Sequence, residues 1–122
     1  MARIEMAETW QSTAGESEVR ATIDEYIAEN KMRIKSDEGS TVVAQGGSQL
    51  QMRLVGAWLA KPTVLPRRAT IAISGRDGGV EISAKIEDTM GVGVMDEKTR
   101  GKYDAYFGSF IAGLGERISA TG

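Results

Sequence analysis

The stretch Ala69–Ile86, ATIAISGRDGGVEISAKI, decides the fold. Ala69, Ile71 and Ile73 alternate with Thr70, Ala72 and Ser74, and Val80, Ile82, Ala84 and Ile86 alternate with Glu81, Ser83 and Lys85. A period of two sends the apolar set to one face of a strand and the polar set to the other. Between the runs lies Arg76-Asp77-Gly78-Gly79, whose Asp-Gly and Gly-Gly pairs supply the backbone freedom of a tight hairpin. The stretch therefore reads as an antiparallel hairpin with one wet face and one dry face, and the dry face needs a cover.

The cover is legible downstream. Asp96 suits a helix N-cap and Glu97 its first turn. Tyr103, Phe107, Phe110, Ile111, Leu114 and Ile118 recur at helical spacing, which predicts one helix over 96–118 with its aromatic stripe on the sheet. Upstream, Val19, Ile23, Tyr26 and Ile27 mark one face of a second helix. It starts either at a Thr13/Glu16 capping box or at Ser17, and Asn30 reads as a left-handed stop. Ile4, Met6 and Trp10 alternate along a strand broken by Glu8. From Lys31 the period is two again: Met32 and Ile34 lead to a turn at Ser36-Asp37-Glu38-Gly39, and Thr41 to Gln45 return. Leu50, Met52 and Leu54 alternate after Gly46-Gly47, so residues 48–58 read more naturally as strand than as helix. The two prolines between Lys61 and Pro66 exclude that segment from a sheet interior.

These elements predict one domain over residues 1–122, of class α+β. One antiparallel sheet of five to six strands carries two helices in the order β-α-β4/5-α, with the long C-terminal helix packed across one face. The order resembles the helix-grip topology of Bet v 1-like and START-like proteins, in which a long C-terminal helix crosses a curved sheet. The resemblance lies in element order and implies architecture alone, since function resides in sites rather than folds.

Composition removes several chemistries. The chain has no Cys, so disulfides, thiolate chemistry and zinc–sulfur sites are excluded, and with no His it lacks the usual general base and imidazole ligand. An enzyme would have to rely on Asp, Glu, Lys, Arg, Tyr, Ser or Thr. No catalytic residue, cofactor or metal is assigned, and a non-catalytic protein is favoured. Gly75-Arg76-Asp77-Gly78-Gly79 and Gly91-Val92-Gly93 match neither the dinucleotide nor the P-loop fingerprint and read as turn and connector. The pairs Glu87-Asp88 and Asp96-Glu97 are expected in solvent, at a strand end and a helix start. Met1-Ala2-Arg3-Ile4-Glu5 lacks the apolar run of a signal peptide, and no stretch reaches the roughly 18 apolar residues of a membrane span. A cytoplasmic location is the expectation.

Three surfaces remain without a role in the core. Net charge is −2, yet residues 31–76 alone hold 8 basic and 2 acidic side chains. Arg33, Arg53, Arg67 and Arg68 are the candidate anion-facing set, with Glu81, Lys85 and Glu87 on the same kind of face as competing internal partners. Nucleic acid is disfavoured, because the aromatic residues that stack on single-stranded bases are not interleaved with these charges. The segment 57–68 is apolar where a connection should be polar, so Trp58, Leu59, Val64 and Leu65 form a candidate interaction loop unless they close the core. Gly101, Ala105, Gly108, Ala112 and Gly115 form a small-residue stripe on the last helix, a candidate helix interface or simply a bare solvent face. The sequence supports a small non-catalytic binding or interaction module, monomeric or weakly dimeric, whose partner is a protein. The alternative is a carrier of an apolar small molecule held between the C-terminal helix and the sheet, where Met52, Met90 and Met95 would line an adaptable wall.

Overall fold

The computed structural model describes residues 3–47, 65–90 and 95–121. Strand β1 is Glu5–Ser12, helix α1 Glu16–Glu29, β2 Met32–Glu38, β3 Thr41–Gly46, β4 Arg67–Arg76, β5 Gly79–Asp88, and helix α2 Glu97–Thr121. The five described strands form one sheet in the order β1-β5-β4-β3-β2, every neighbouring pair antiparallel. The strand expected within 48–58 lies outside the described residues.

Alternation does what the pattern requires. Ala69, Ile71 and Ile73 of β4 lie opposite Ile86, Ala84 and Ile82 of β5, and all six are buried. Val42 and Ala44 of β3 continue this inner face, and Met6 and Trp10 of β1 extend it with partly buried side chains. Glu8 stands between them on the same side but is exposed, so it does not break the strand. At the hairpin Arg76 pairs with Gly79 across Asp77 and Gly78, the latter with φ 81°.

Both helices lie on the inner face. Helix α2 packs on β1 and β5, while α1 packs on α2 and β2. The buried stripe of α2 is Thr99, Tyr103, Phe107, Phe110, Ile111, Leu114 and Ile118, the expected residues with one addition. Asp96 caps it, its Oδ1 accepting the Thr99 N–H at 2.8 Å, and that bond holds the carboxyl below its ordinary pKa. The helices meet where the Tyr26 hydroxyl donates to the Phe110 carbonyl at 2.8 Å and the two rings lie 5.2 Å apart. Each fully buried ring or branched chain contributes roughly 1.5–3 kcal/mol through burial.

Four local expectations need correction. Ser36, Asp37 and Glu38 belong to β2, paired with Val43, Val42 and Thr41, so the turn is Gly39-Ser40 rather than Ser36 to Gly39. Gly15 is the N-cap of α1 and makes no side-chain cap bond, so neither Thr13 nor Ser17 serves. Asn30 ends the helix with φ −87°, and the left-handed residue is Lys31 with φ 58°. Asp88 is buried rather than solvated: its Oδ1 accepts the backbone N–H groups of Arg3 at 2.7 Å and Ile4 at 2.8 Å, fastening the start of β1 to the end of β5.

Candidate binding cleft

The polar end of the sheet is built on register. Arg33, Gln45, Arg68, Glu87 and Glu5 occupy successive positions in one row across β2, β3, β4, β5 and β1, on the outer face. Arg68 Nη1 lies 3.5 Å from Glu87 Oε1, and Lys85 Nζ 3.7 Å from Glu87 Oε2. Arg68 thus has the internal carboxylate that its strand position offered, in a pair worth at most about 1 kcal/mol at a surface.

Arg67 does not belong to the exposed set, because adjacent strand residues face opposite ways. It is 0% exposed on the inner side. Its Nη1 donates to the Leu65 carbonyl at 2.8 Å, its Nη2 donates to the Asn30 carbonyl at 2.6 Å, and the guanidinium lies 4.8 Å from the Tyr106 ring centre. Gly46 sits opposite, and a Cβ there would stand 2.9 Å from both Arg67 Cζ and Met32 Cγ. Glycine leaves the room that the guanidinium occupies. Asn30 collects the network: its Oδ1 accepts the Tyr106 hydroxyl at 2.9 Å, and its Nδ2 donates to the Tyr26 carbonyl at 2.9 Å.

Above this buried layer opens a cleft of about 290 Å³ lined by Lys31, Arg33, Lys35, Gln45, Gly46, Gly47, Pro66 and Thr89. Its walls are the start of β2, the end of β3 and the segments that flank β4 and β5. Pro66 is fixed from below, its carbonyl accepting the Tyr103 hydroxyl at 2.7 Å and the Thr89 N–H at 3.0 Å. Gly47 has φ 84°, and a Cβ on it would run into the Leu65 carbonyl, so the turn admits glycine alone. Lys31, Arg33 and Lys35 are exposed. The register of β2 shifts between Ile34 and Ser36, which makes Lys35 the extra residue of a bulge and keeps it beside Arg33 on the cleft. Lys31 holds a left-handed backbone where glycine would be about 1 kcal/mol easier, so a lysine stands there despite the conformation.

Of the anion-facing candidates, then, Arg33 lines the cleft, Arg68 is paired beside it, Arg67 lies beneath it, and Arg53 lies outside the described residues. Lys31 and Lys35 were not among those candidates. Their signal was the run Lys31, Arg33, Lys35 at alternate positions: period two puts Arg33 and Lys35 on one strand face, and Lys31 stands in the turn just before it. Gln45 and Thr89 carry no such signal. In the candidate loop Leu65 is fully buried, while Trp58, Leu59 and Val64 lie outside the described residues. The small-residue stripe divides: a Cβ on Gly115 would stand 2.8 Å from Trp10 Nε1, whereas Gly101 and Gly108 face open space and Ala105 and Ala112 are exposed.

Burial pushes the phenols of Tyr26, Tyr103 and Tyr106 up, and each donates its proton to a fixed oxygen. Among the described residues no cluster of three or more carboxylates stands ready for a metal ion.

Solved structures share this architecture. Protein MLL2253 from Mesorhizobium loti aligns over 97% of this chain and 96% of its own, with a TM-score of 0.62 at 8% sequence identity. Ara h 8.0201 aligns over 94% of each chain with a TM-score of 0.50 at 12% identity. Such a likeness establishes the architecture: the fold is helix-grip-like. The sequence matches no family model and no curated protein. Among the described residues no helix is long and apolar enough to cross a membrane.

Proposed function

We propose that this chain is a small cytoplasmic, non-catalytic binding module, one domain over residues 1–122, that holds a small molecule in the cleft at the end of β2 and β3. One observation carries the reading: a concavity of about 290 Å³ rests on a backbone already fixed by Arg67, Tyr103 and Gly47. That volume is near the lower bound of small-ligand sites, about 300 Å³, and a prefixed floor spares the ligand the entropy of ordering it. A helix-grip-like fold is compatible with small-molecule binding. The buried phenols do structural work, each hydroxyl donating to a fixed oxygen of the protein.

The competing reading, an apolar carrier with its cargo between α2 and the sheet, has less room where the structure is described. Tyr103, Phe107, Phe110, Leu114 and Ile118 are all buried to within 1% and fill that space with their own side chains. Native mass spectrometry of protein recovered from cells, followed by amide chemical-shift mapping of whatever is retained, decides. Shifts centred on Gln45, Gly46, Gly47 and Thr89 are expected. Shifts confined to Met90, Met95 and Phe107 would overturn the cleft in favour of the carrier. The same spectra report whether the protein is a monomer or a weak homodimer.

A further inference from the structure

The charge around the cleft identifies its ligand, an inference that rests on the cleft being a binding site at all. Lys31, Arg33 and Lys35 line it, and its lining holds no Asp or Glu. Elsewhere the chain pairs its arginines: Arg20 reaches Asp24 and Asp37, Arg76 reaches Glu81, Arg117 reaches Glu29 and Arg68 reaches Glu87, each within 3.5 Å. Among the described residues no carboxylate comes within 4 Å of the three cleft cations. A fourth cation, Arg67, lies directly behind Gly46 and answers the Asn30 carbonyl at the end of α1, so the helix terminus does not oppose an anion there. From these positions we infer that the cleft takes a small polyanion, a molecule carrying two or more phosphate or carboxylate groups a few ångströms apart.

Each group has a part. The planar guanidinium of Arg33 offers a fork to two oxygens of one anionic group, and Lys31 and Lys35 bring point charges on flexible stems. Gln45 and Thr89 add neutral hydrogen-bonding groups between them. The polarity of the lining is unusual for a small-ligand pocket, which ordinarily is mostly apolar, and it fits a charged ligand rather than a hydrocarbon one. A bulge and lysines on an edge strand also discourage pairing with other sheets. That role needs charge anywhere along β2; it does not account for a lysine in the left-handed position of Lys31 or for three cations around one concavity.

The test is titration of the ¹⁵N-labelled protein with sodium pyrophosphate at low ionic strength, against sodium chloride of matched strength and against sucrose. Pyrophosphate alone should shift the amides of Lys31, Arg33, Gln45, Gly46, Gly47 and Thr89, and raising the salt severalfold should weaken binding by about tenfold or more. Arg33→Gln and Lys31→Gly should each weaken it about fivefold or more, through loss of a charge-assisted contact. Lys31→Gly relieves the backbone, so it should melt no lower than the parent and unfolding cannot account for its loss. Two arms separate the possible sources of the anion. Sedimentation with phosphatidylcholine vesicles only when they contain cardiolipin, whose headgroup carries two phosphates, reversed by pyrophosphate, supports a lipid headgroup. Pyrophosphate shifts without sedimentation support a free metabolite. Sucrose shifting the same amides, independent of salt, would overturn the polyanion and leave the cleft as a site. If neither probe moves the cleft, both readings fall.

Discussion

Arg67 and Arg68 are adjacent in β4, so strand alternation must send them to opposite faces. One is sealed under the cleft and the other meets Glu87 in partial solvent. Removing the sealed one strips donors from the buried Leu65 carbonyl and the partly buried Asn30 carbonyl, and an orphaned buried group costs about 1–3 kcal/mol. Arg67→Met is therefore expected to lose about 2–4 kcal/mol in urea unfolding, and Arg67→Lys to fall between, because a single ammonium cannot bridge the Leu65 and Asn30 carbonyls as a fork does. Arg68→Gln should change stability by less than about 1 kcal/mol. Equal effects from the two would mean that Arg67 is not enclosed. Lys31 shows the opposite balance, with a side chain in contact with water on an unfavourable backbone. Lys31→Gly is expected to raise stability by up to about 1 kcal/mol in a thermal melt, the reverse of its effect on pyrophosphate binding.

Helix α2 shows how far an element could be read before its surroundings were known. Its aromatic stripe was legible because burial imposes a helical period on six large residues, and the structure buries all of them. Phe110→Ala should cost about 3–5 kcal/mol. Its small residues were not legible, since a glycine in a sequence does not say what lies over it. Gly115 makes way for Trp10, whose Nε1 would stand 2.8 Å from an added Cβ, and Gly113 makes way for Tyr26. Gly108 faces open space. Gly108→Ala should therefore stabilise by up to about 1 kcal/mol, whereas Gly115→Ala should destabilise and shift the tryptophan fluorescence. Opposite signs within one stripe would retire the idea of a continuous helix interface; a dimer loosened by Gly108→Ala would restore it. The same limit hid the cleft. Period two placed Arg33 and Lys35 on one face, but Gln45 and Thr89 join them only through the pairing of β2 with β3 and the bond from Thr89 to Pro66.

For the whole molecule, the absence of His leaves no side chain with an ordinary pKa near neutrality. The Arg20 and Arg117 guanidinium groups hold Asp37 and Glu29 below their ordinary values, and the Thr99 N–H does the same for Asp96. Depressed carboxylates contribute stability that is complete above their unfolded pKa and is lost as acid protonates the folded form. Burial raises Tyr26, Tyr103 and Tyr106 instead. The unfolded chain then releases those protons first, so stability falls as pH rises above about 10. Urea midpoints should be level between about pH 5.5 and 9 and decline on both sides. A step near pH 6.5 would contradict this account, since that is the range of an imidazole the chain does not have.

The bond between the first strand and the last also governs the order in which this chain can assemble. Among the described residues β1 finds its partner only in β5, with Glu5 opposite Glu87, and the two N–H groups that Asp88 accepts belong to Arg3 and Ile4. A ribosome releases β1 long before β5 exists. Until then Met6 and Trp10 lack the strand they lie against, and the apolar face of β3 and β4 has no α2 above it. Closure of so distant a pair is slow, because the loop entropy is lost before the contacts repay it. The nascent chain therefore carries an open, sticky edge through most of its synthesis. Refolding of the full chain should show β1 docking and the burial of Trp10 as its last observable event.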